Sequence, residues 1–518
     1  MVYFRGRVPG EVNPIREIQE REITDRITPF FDLVIDEKGG DYAEIIERHR
    51  ADVALFETKA VIHEKPVLHG VGGNSSIPKV LLIRSDPLCY TRPMLLDMVA
   101  DYGIDACFAV DSLYERYLEA IRDILYVVPH SIDPAVFRDY GLKKTNTVSY
   151  FGHFLPSRPW RIDTARQLRD RFACTFFPHD TARTTAETTR MVYGEAYARQ
   201  INATRFTPVE GGYCHLITRK FLEAPGARSL LVCPPFPELA NYGFVDGETC
   251  VTAEPGEIVD KLDALERDEA LYAQIVEGGY RLVHTRHRNA HRSQMRDWYE
   301  AFRRRQPGQR VVQQGAFGPF ELEAQGPSKP FKRERPFDHF LLDEAERAIR
   351  EHRIEDAEQD AIRAMNLMFA RNLAEPRFVL AIVRLLQGKP DQAIYFLTSN
   401  FVGLLAPRGA TALDPREAAW LALAYLCADR TEKAWSVVGL HAHRRHRELD
   451  WVKELLGFPA AGEGAETATL YGQLKSETRE DWLALVRPIA EANPASPLGK
   501  LLRLGEPAPR KRAKEGAG

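Results

Sequence analysis

The sequence predicts an α/β protein in which two parallel-sheet domains precede an all-α domain. Up to about residue 250, short apolar runs alternate with helix-forming segments, which is the pattern of parallel strands covered by helices on both faces. Beyond residue 337 the composition shifts to helix formers. The chain has 518 residues, enough for several hydrophobic cores. We therefore expect a multidomain protein whose ligand site lies at the ends of parallel strands.

The first predicted sheet domain spans residues 1–128. Its apolar runs predict helices at 42–49 and 92–101, and strands at 31–35, 52–56, 79–83 and 104–110. The third of these strands is followed by Arg84-Ser85-Asp86-Pro87, where a polar side chain points into the space between domains. Asp86 is therefore a candidate site residue. The alternative is that Asp86 caps the segment that follows.

The second predicted sheet domain spans residues 129–305. It begins with a strand at 147–151 that ends in Gly152 and His153, and a glycine at this point lets the backbone approach a ligand. Arg161 then precedes a helix at about 162–172, and a strand follows at 174–177. Gly152 and His153 are candidates for the ligand-binding edge.

The segment 215–250 carries the most informative pattern. A short helix at 218–224 places Arg219 and Glu223 four residues apart, so that both point to one side. Pro225-Gly226 is expected to end this helix, and Ser229 to Cys233 reads as a buried strand. A cation and a carboxylate at such an edge suit a sugar nucleotide, with the cation on the diphosphate and the carboxylate on the ribose. The alternative is an ion pair on a helix surface, which contributes little.

This region resembles the second half of a GT-B glycosyltransferase in the order of four features. They are Arg219-x-Phe221-x-Glu223-Ala224, Gly226-Ala227, the apolar strand, and Gly243-Phe-Val-Asp-Gly-Glu248. The similarity is to the family 1/4 group that includes spore-maturation-type transferases, and it extends over about 125–302. It implies two Rossmann-like domains that face a cleft, the first on the acceptor side and the second on the donor side. Residues 125–134 resemble the crossing between them, with His130 and Ser131 where Asn and Gly are usual.

The resemblance also implies roles for individual residues. Family 4 enzymes carry Glu-x7-Glu, and here the second position is Glu223 while the first is His215. Glu223 is expected on the ribose, His215 near the phosphate or the transferred sugar, and Arg219 on the diphosphate. Asp86, His215 and Arg219 are the predicted catalytic groups, although a lone histidine is often structural. Further donor-side candidates are Gly152, His153, Arg161, Arg205 and Glu238.

The chemistry of sugar transfer depends mainly on positioning and charge. Cations and backbone N–H groups stabilise the departing nucleoside diphosphate. The resemblance implies a UDP- or GDP-linked sugar as substrate, no cofactor, no metal, and retention at the anomeric carbon. The sequence contains no convincing Asp-x-Asp motif or His/Cys ligand cluster.

Composition restricts the function classes and the compartment. The net charge of -3 gives no overall electrostatic case for nucleic-acid or membrane binding. The seven cysteines are scattered and lie mostly in apolar runs, which fits reduced thiols. The N-terminus lacks the apolar core of a signal peptide, and no apolar run reaches the length of a membrane span. We expect a cytoplasmic protein.

The C-terminal part is predicted as a linker, a helical domain and a tail. Residues 306–337 are rich in Gly, Pro, Gln and Lys and are interpreted as a linker, 338–503 as helical, and 504–518 as a disordered basic tail. The helical part resembles a divergent tetratricopeptide-like array, because three links recur in it: His352–Ala357, Gly388–Ala393 and Asp429–Ala434. Their alanines are expected at helix crossings.

Together these observations predict a glycosyltransferase that acts on a macromolecular acceptor. Protein is the preferred acceptor class, because helical repeats bind protein partners. The first alternative is transfer to a modified base in DNA, supported by the basic run 284–305 with its interleaved aromatics and by the tail. That run is more typical of a solvated helix face. The second alternative is a binding scaffold that has lost activity, motivated by the replacements at His215 and Ser85.

Overall fold

The computed structural model describes most of the chain, and the structural statements below refer to that part. The described residues are 1–6, 14–58, 67–73, 77–85, 87–89, 91–155, 158–177, 192–212, 214–367, 373–406, 410, 412–459 and 466–504. Asp86 and the predicted tail from residue 505 onward lie outside them.

The first sheet domain is a parallel six-stranded sheet in the order β2-β1-β4-β6-β7-β8. Its strands, with two short ones that pair with each other (β3 and β5), are β1 (Val2–Phe4), β2 (Val34–Asp36), β3 (Gly40–Asp41), β4 (Ala54–Thr58), β5 (Leu68–His69), β6 (Lys79–Ile83), β7 (Ala106–Ala109) and β8 (Leu125–Val127). Its helices are α1 (Pro14–Ile27), α2 (Tyr42–Arg48), α3 (Arg92–Tyr102) and α4 (Tyr114–Tyr117).

Helix α1 and strand β1 are elements that the sequence pattern did not predict. Charged residues outnumber apolar ones in α1, so no apolar stripe marks it as a helix. It is held to the sheet by Ile23 and Ile27, which lie four residues apart and are both buried. Strand β1 has only three residues, too few for a periodic signal.

The second sheet domain is a parallel five-stranded sheet in the order β10-β9-β11-β12-β13. Its strands are β9 (Asn146–Phe151), β10 (Cys174–Phe177), β11 (Thr204–Pro208), β12 (Leu230–Cys233) and β13 (Val251–Thr252). Its helices are α5 (Pro159–Arg169), α6 (Gly194–Asn202), α7 (Lys220–Gly226), α8 (Glu238–Asn241), α9 (Ile258–Arg267), α10 (Glu269–Arg286) and α11 (Gln294–Arg304). The predicted GT-B fold class, two Rossmann-like domains followed by a helical region, is confirmed.

Helix α7 differs in its ends from the predicted helix at 218–224. It begins at Lys220 and includes Pro225 and Gly226 in its last turn. Pro225 is tolerated because its missing N–H removes a single hydrogen bond from a helix that is already ending. The residue with left-handed backbone after the helix is Arg228, with φ of 60°. The helix therefore ends at Gly226, two residues later than predicted.

Helix α11 crosses back from the second sheet domain onto the first, as the sequence predicted. Its Trp298 is buried, 6.0 Å from the ring of Phe108 and 6.2 Å from that of Tyr126. Trp298 therefore belongs to the core of the first domain.

The segment 306–337, predicted as a linker, is part of the first sheet domain. Strands β14 (Gln309–Gln313) and β15 (Phe320–Ala324) form an antiparallel hairpin. Gln313 Oε1 accepts from Val127 N at 2.8 Å, and Gln313 Nε2 donates to Val127 O at 2.9 Å. Val311 is buried beside Trp298 in the same core. The linker prediction was wrong here because the polar residues that alternate along these short strands resemble those of a loop.

The helical domain contains nine helices within the described residues. They are α12 (Phe337–Arg350), α13 (Ile354–Asn366), α14 (Glu375–Leu386), α15 (Pro390–Asn400), α16 (Pro415–Cys427), α17 (Thr431–Leu440), α18 (Arg447–Leu455), α19 (Arg479–Ala492) and α20 (Pro497–Leu504). Helices α12 to α17 pack as consecutive pairs. None of the described helices is both long and apolar enough to cross a membrane.

The three predicted links join these pairs with the same backbone geometry. His352, Gly388 and Asp429 have φ of 60°, 69° and 56°. In each link the next residue donates its N–H to a carbonyl five residues earlier, at 2.8 Å in all three cases. The alanine five residues after each left-handed residue is fully buried. The three helix–turn–helix units therefore repeat one another, whereas their tetratricopeptide-like classification stays a prediction.

The helical domain packs directly on the first sheet domain. Arg92 of α3 makes a two-pronged ion pair with Glu375 of α14, at 2.7 Å for both contacts. Asp97 of α3 pairs with Arg444 at 2.8 Å. Apolar residues of both domains form one continuous core. The helical domain is therefore a fixed neighbour of the first sheet.

Candidate active site in the interdomain cleft

A cavity of about 580 Å³ lies between the two sheet domains. One wall is α1 of the first domain, and the opposite wall is formed by α6 and α7 of the second. The crossing segment 130–133 closes one side. The cavity lies where parallel α/β sheets bind ligands.

Glu223 on α7 is held in this cavity by a neighbouring tyrosine. Glu223 is 6% exposed, and the Tyr197 hydroxyl of α6 donates to its Oε2 at 3.0 Å. Burial and the Glu223 carboxylate raise the pKa of Tyr197 well above its ordinary value, so the phenol stays protonated and keeps donating. The second oxygen of Glu223, Oε1, lies 3.9 Å from Arg219 Nε. The carboxylate is thus oriented on the cavity wall.

Arg219 lines the same cavity and forms an ion pair across the cleft. Its Nη1 contacts Glu22 Oε2 on α1. The i, i+4 arrangement with Glu223 predicted from the sequence is present, but the contact with Glu22 is the closer one. The Arg219–Glu223 pair is therefore part of a contact across the cleft and is not a plain ion pair on a helix surface.

Lys220 is a cation of this site that the sequence reasoning missed. A Cβ added to Gly152 would lie 3.6 Å from Lys220 Nζ and 3.9 Å from Arg161 Nη2, so both cations lie beside this glycine at the carboxyl end of β9. Within the described residues Lys220 has no hydrogen bond or ion pair. Burial lowers the pKa of Lys220 to about 8, with Glu223 opposing the shift and Arg161 adding to it. Nothing in the sequence around Arg219 indicated that the next residue, Lys220, would lie beside Gly152.

Arg161 lies beneath the end of β9 and not on the protein surface. It is 2% exposed, and its Nη2 donates to Phe151 O at 2.7 Å. Burial lowers the pKa of Arg161 to about 10, which leaves the guanidinium charged at neutral pH. Although Arg161 lies at the start of α5, its side chain is therefore not exposed, because α5 turns it under the sheet edge.

Glu210, which follows β11, is a second residue that the sequence reasoning missed. It is buried, and its Oε1 lies 3.8 Å from Arg158 Nη1. Burial raises the pKa of Glu210, while Arg158 and Arg161 oppose the rise. The position of Glu210 just after a strand was the only feature of the sequence that could have indicated a site residue.

His215 and Glu238 lie outside the lining of the cleft cavities. His215 has left-handed backbone, with φ of 51°, and its exposed ring stacks on Phe236 at 5.4 Å. Glu238 pairs with Arg333 Nε at 2.7 Å, and Arg333 Nη1 also contacts Asp111 at 2.8 Å. Glu238 thus takes part in a contact between domains. Its role in donor binding stays a prediction, as does that of His215.

The remaining predicted site residues are divided between the two ends of the second sheet. His153 is exposed beside Gly152, at the carboxyl end of β9. Arg205 lies near the amino end of β11, where it pairs with Glu266 at 3.1 Å and Glu269 at 2.9 Å. The structure therefore does not bring Arg205 to the cavity.

A second cavity of about 320 Å³ lies at the carboxyl ends of β6 and β7. Its lining includes Arg84 and Tyr114 of the first domain and Ile217 of the second. The two cavities meet at a boundary that contributes to both linings and consists of Glu22, Arg26, His130, Thr218 and Arg219. The cleft therefore has a larger and a smaller compartment that meet at these residues.

His130 at this boundary is a neutral polar group. Burial, together with the charges of Arg26 and Arg292, lowers the pKa of His130 to about 3. Its Nδ1 is buried without a hydrogen-bond partner. A neutral imidazole with a free ring nitrogen is suited to a ligand hydroxyl.

The basic run 284–305 serves mainly as internal support. His287 Nε2 bonds to Tyr242 O at 2.8 Å, and Arg292 Nη2 donates to His130 O at 2.7 Å. Trp298 is buried as well, so it is not available to stack on a nucleic-acid base.

Residues 158–298 match the family model described as glycosyl transferase-like. This stretch of the chain is therefore similar to a glycosyl transferase-like domain. This segment carries Arg219, Lys220 and Glu223, which line the larger cavity from the side of the second domain. The predicted enzyme class, a glycosyltransferase, is confirmed at the level of this domain. Among the curated proteins, none matches the chain in sequence.

Several solved structures have a similar but distant arrangement. A sucrose-phosphate synthase from Thermosynechococcus elongatus is 11% identical, with a TM-score of 0.38 over 57% of this chain and 82% of its own. Anabaena Alr3699/HepE, solved with UDP and glucose, is 11% identical, with a TM-score of 0.39 over 57% of this chain and 96% of its own. A glycosyltransferase from Rickettsia africae is 10% identical, with a TM-score of 0.35 over 57% of this chain and 89% of its own. Similarity at this level does not identify the substrate of this chain.

Proposed function

We propose that the chain transfers a sugar from a UDP- or GDP-linked donor that binds in the larger cavity of the cleft. The observation that carries the proposal is the Glu223 carboxylate, which is buried, oriented by Tyr197, and flanked on the same helix by two cations. A volume of about 580 Å³ is within the range of small-molecule sites.

Each side chain of the site has a distinct task in this proposal. Glu223 accepts hydrogen bonds from the ribose hydroxyls. Arg219 and Lys220, with Arg161 beneath them, face the diphosphate and stabilise the charge that develops as the nucleoside diphosphate departs. The backbone at Gly152 allows the phosphate to approach Lys220 closely. These groups bind and orient the donor, and they stabilise its leaving group.

The acceptor is proposed to enter through the smaller cavity on the side of the first domain. It is macromolecular, with protein as the preferred class, because the helical domain is fixed to this domain by Arg92 and Glu375. Transfer is proposed to proceed with retention and without a metal. No group of three or more His, Cys, Asp or Glu side chains in the described residues is arranged to hold a metal ion.

Calorimetric titration with UDP and GDP in the presence of a chelator tests the donor site. We expect one diphosphate to bind the wild type, and Glu223→Ala to weaken that binding by at least tenfold, about 1.4 kcal/mol. Glu269→Ala is the matched control, because it removes an exposed carboxylate at the other end of the sheet. Its affinity should equal that of the wild type.

Two outcomes would contradict the proposal. If neither diphosphate binds the wild type, the cavity is not a donor site. If a diphosphate binds but no UDP- or GDP-sugar is hydrolysed or transferred to any protein acceptor, the scaffold alternative applies. Salt-sensitive DNA binding would instead favour the modified-base alternative.

A further inference from the structure

We propose that helix α1 of the first domain completes the diphosphate site, with Arg26 as a ligand cation and Glu22 as a carboxylate that the diphosphate displaces from Arg219. This inference rests on the proposed function, because it adds a second wall to the same donor site. It assigns binding roles to residues for which the sequence gave no indication.

Arg26 is a partly buried guanidinium without a partner. It contributes to the lining of both cavities, and within the described residues it makes no hydrogen bond or ion pair. Burial, with Arg84 nearby, lowers the pKa of Arg26 to about 10, so the group is still positive at neutral pH. An unpaired charge away from water is unfavourable until an anion neutralises it. The side chain is thus poised for an anionic ligand.

Among the described residues Arg26 forms no ion pair, although Asp25 and Asp133 line the same cavity. The carboxylates near Arg84 are engaged by that residue, Glu57 at 2.7 Å and Glu20 at 3.3 Å. Glu22, one turn before Arg26 on the same face of α1, is engaged by Arg219. The other close groups are Arg292 and the neutral His130. Arg84 and Arg292 thus place positive charge beside Arg26, and only the Tyr242 phenol acts in the opposite direction on its pKa.

The unpaired cations of the cleft match the charge of a nucleotide-sugar diphosphate. Lys220 on the wall of the second domain and Arg26 on the wall of the first both lack a carboxylate partner within the described residues. The two phosphate groups of such a donor each carry a negative charge. One cation from each wall neutralises them, which couples donor binding to the closed arrangement of the two domains.

Glu22 has the opposite effect on donor affinity. It holds Arg219 through an ion pair, so a phosphate that approaches Arg219 has to break that pair. Removal of the carboxylate therefore frees a cation for the ligand. The two residues of α1, four positions apart, are expected to change the affinity in opposite directions.

The experiment compares four forms of the full chain by titration with UDP, or with GDP if that is the diphosphate the wild type binds. We expect Arg26→Met to weaken binding at least tenfold, about 1.4 kcal/mol. Glu22→Gln is expected to tighten it by about threefold or more. Arg48→Met, which removes an exposed arginine on α2 of the same domain, is the matched control and should change the affinity by less than about twofold.

Two further measurements separate phosphate binding from a structural effect. The corresponding nucleoside, which lacks phosphate, should bind the wild type and Arg26→Met equally. The melting temperature of Arg26→Met should be unchanged or higher, because an unpaired charge has been removed. Arg26→Lys, which keeps the charge, should recover part of the diphosphate affinity.

The proposal is overturned if Arg26→Met binds the diphosphate like the wild type while Glu223→Ala does not. In that case the donor site exists but α1 is not part of it. It is also overturned if Arg26→Met weakens the nucleoside and the diphosphate equally. Failure of the wild type to bind either diphosphate would instead remove the proposed function itself.

Discussion

Two regions of this protein use the same residue types for opposite purposes: the interdomain cleft and the inner face of the helical domain. In the cleft, Arg26 and Lys220 have no carboxylate partner within the described residues, and His130 Nδ1 has no hydrogen bond. On the inner face, Arg416 and Glu448 are buried more deeply, yet they pair with each other and accept or donate further hydrogen bonds. Unpaired polar groups in the cleft indicate a ligand, whereas bonded ones on the inner face indicate structure.

The inner face is formed by the first helices of the repeated pairs and is covered by the chain's own residues 469–476, here named the inner segment. Arg416 of α16 donates to three carbonyls of that segment, Tyr471 O at 2.7 Å, Gln473 O at 2.8 Å and Leu474 O at 3.0 Å. It also pairs with Glu448 of α18 at 2.8 Å, and both side chains are 0% exposed. The backbone of the inner segment is thus bound by side chains, as a peptide ligand would be.

Tyr471 of the inner segment packs against the inner face of the helical domain. The ring of Tyr471 stacks on Phe378 of α14 at 4.3 Å, and its hydroxyl donates to Glu417 at 3.0 Å. The face on which helical repeats bind partners is therefore already covered within the chain. Any protein acceptor has to reach the cleft by another surface of the helical domain.

The largest expected effect is on stability, from Arg416→Met. The substitution leaves Glu448 buried without its ion pair and frees three carbonyls, so we expect a loss of roughly 3–5 kcal/mol in the free energy of unfolding. Denaturant or thermal unfolding measures it. Arg430→Met, which breaks the exposed pair with Asp391, is the control and should cost about 1 kcal/mol or less. Equal losses in the two variants would remove the distinction between the two regions.

The second prediction concerns Lys220→Met in the cleft, where removal of a charge should stabilise the protein. The pKa of Lys220 is about 8 in the folded protein against an ordinary value of 10.5. Between these values the unfolded chain binds more protons, so the free energy of unfolding of the wild type rises with pH in that window. Below pH 8 the wild type carries the full cost of keeping this buried amine charged.

Lys220→Met should therefore be more stable than the wild type at pH 7, and the gain should disappear as the pH approaches 10.5. Chemical denaturation at several pH values measures the difference. The same variant should bind the diphosphate more weakly at pH 7. A variant that loses both stability and affinity would show that Lys220 is a structural cation like Arg416.

The smallest expected effect is that of Arg205→Ala. Its ion pairs with Glu266 and Glu269 lie at the amino end of β11, away from the cavity. We expect the affinity for the diphosphate to change by less than about twofold and the stability by about 1 kcal/mol or less. A tenfold loss of affinity for the diphosphate would instead indicate that Arg205 belongs to the donor site.

The sequence by itself determined the local features of this protein. Apolar runs located strands β4, β6 and β7 of the first sheet and β9, β10 and β12 of the second, but not β1 or β11. The four-residue spacing placed Arg219 and Glu223 on one side of a helix. The repeated links, with Gly388 as the clearest, marked the helix pairs. These features depend on neighbours within a few residues, so periodicity and turn chemistry are sufficient to predict them.

Only the tertiary structure decided which polar groups face the cleft and which are paired. Arg26 and Glu22 are on a helix without an apolar stripe, and their meeting with residues near position 220 depends on how two separate sheets face each other. Lys220 becomes a site cation because Gly152, distant in sequence, leaves space for it. The hairpin at 309–324 is part of a core because Val311 packs in one cluster with Trp298. Charge pairing depends on distances across domains, which sequence spacing does not contain.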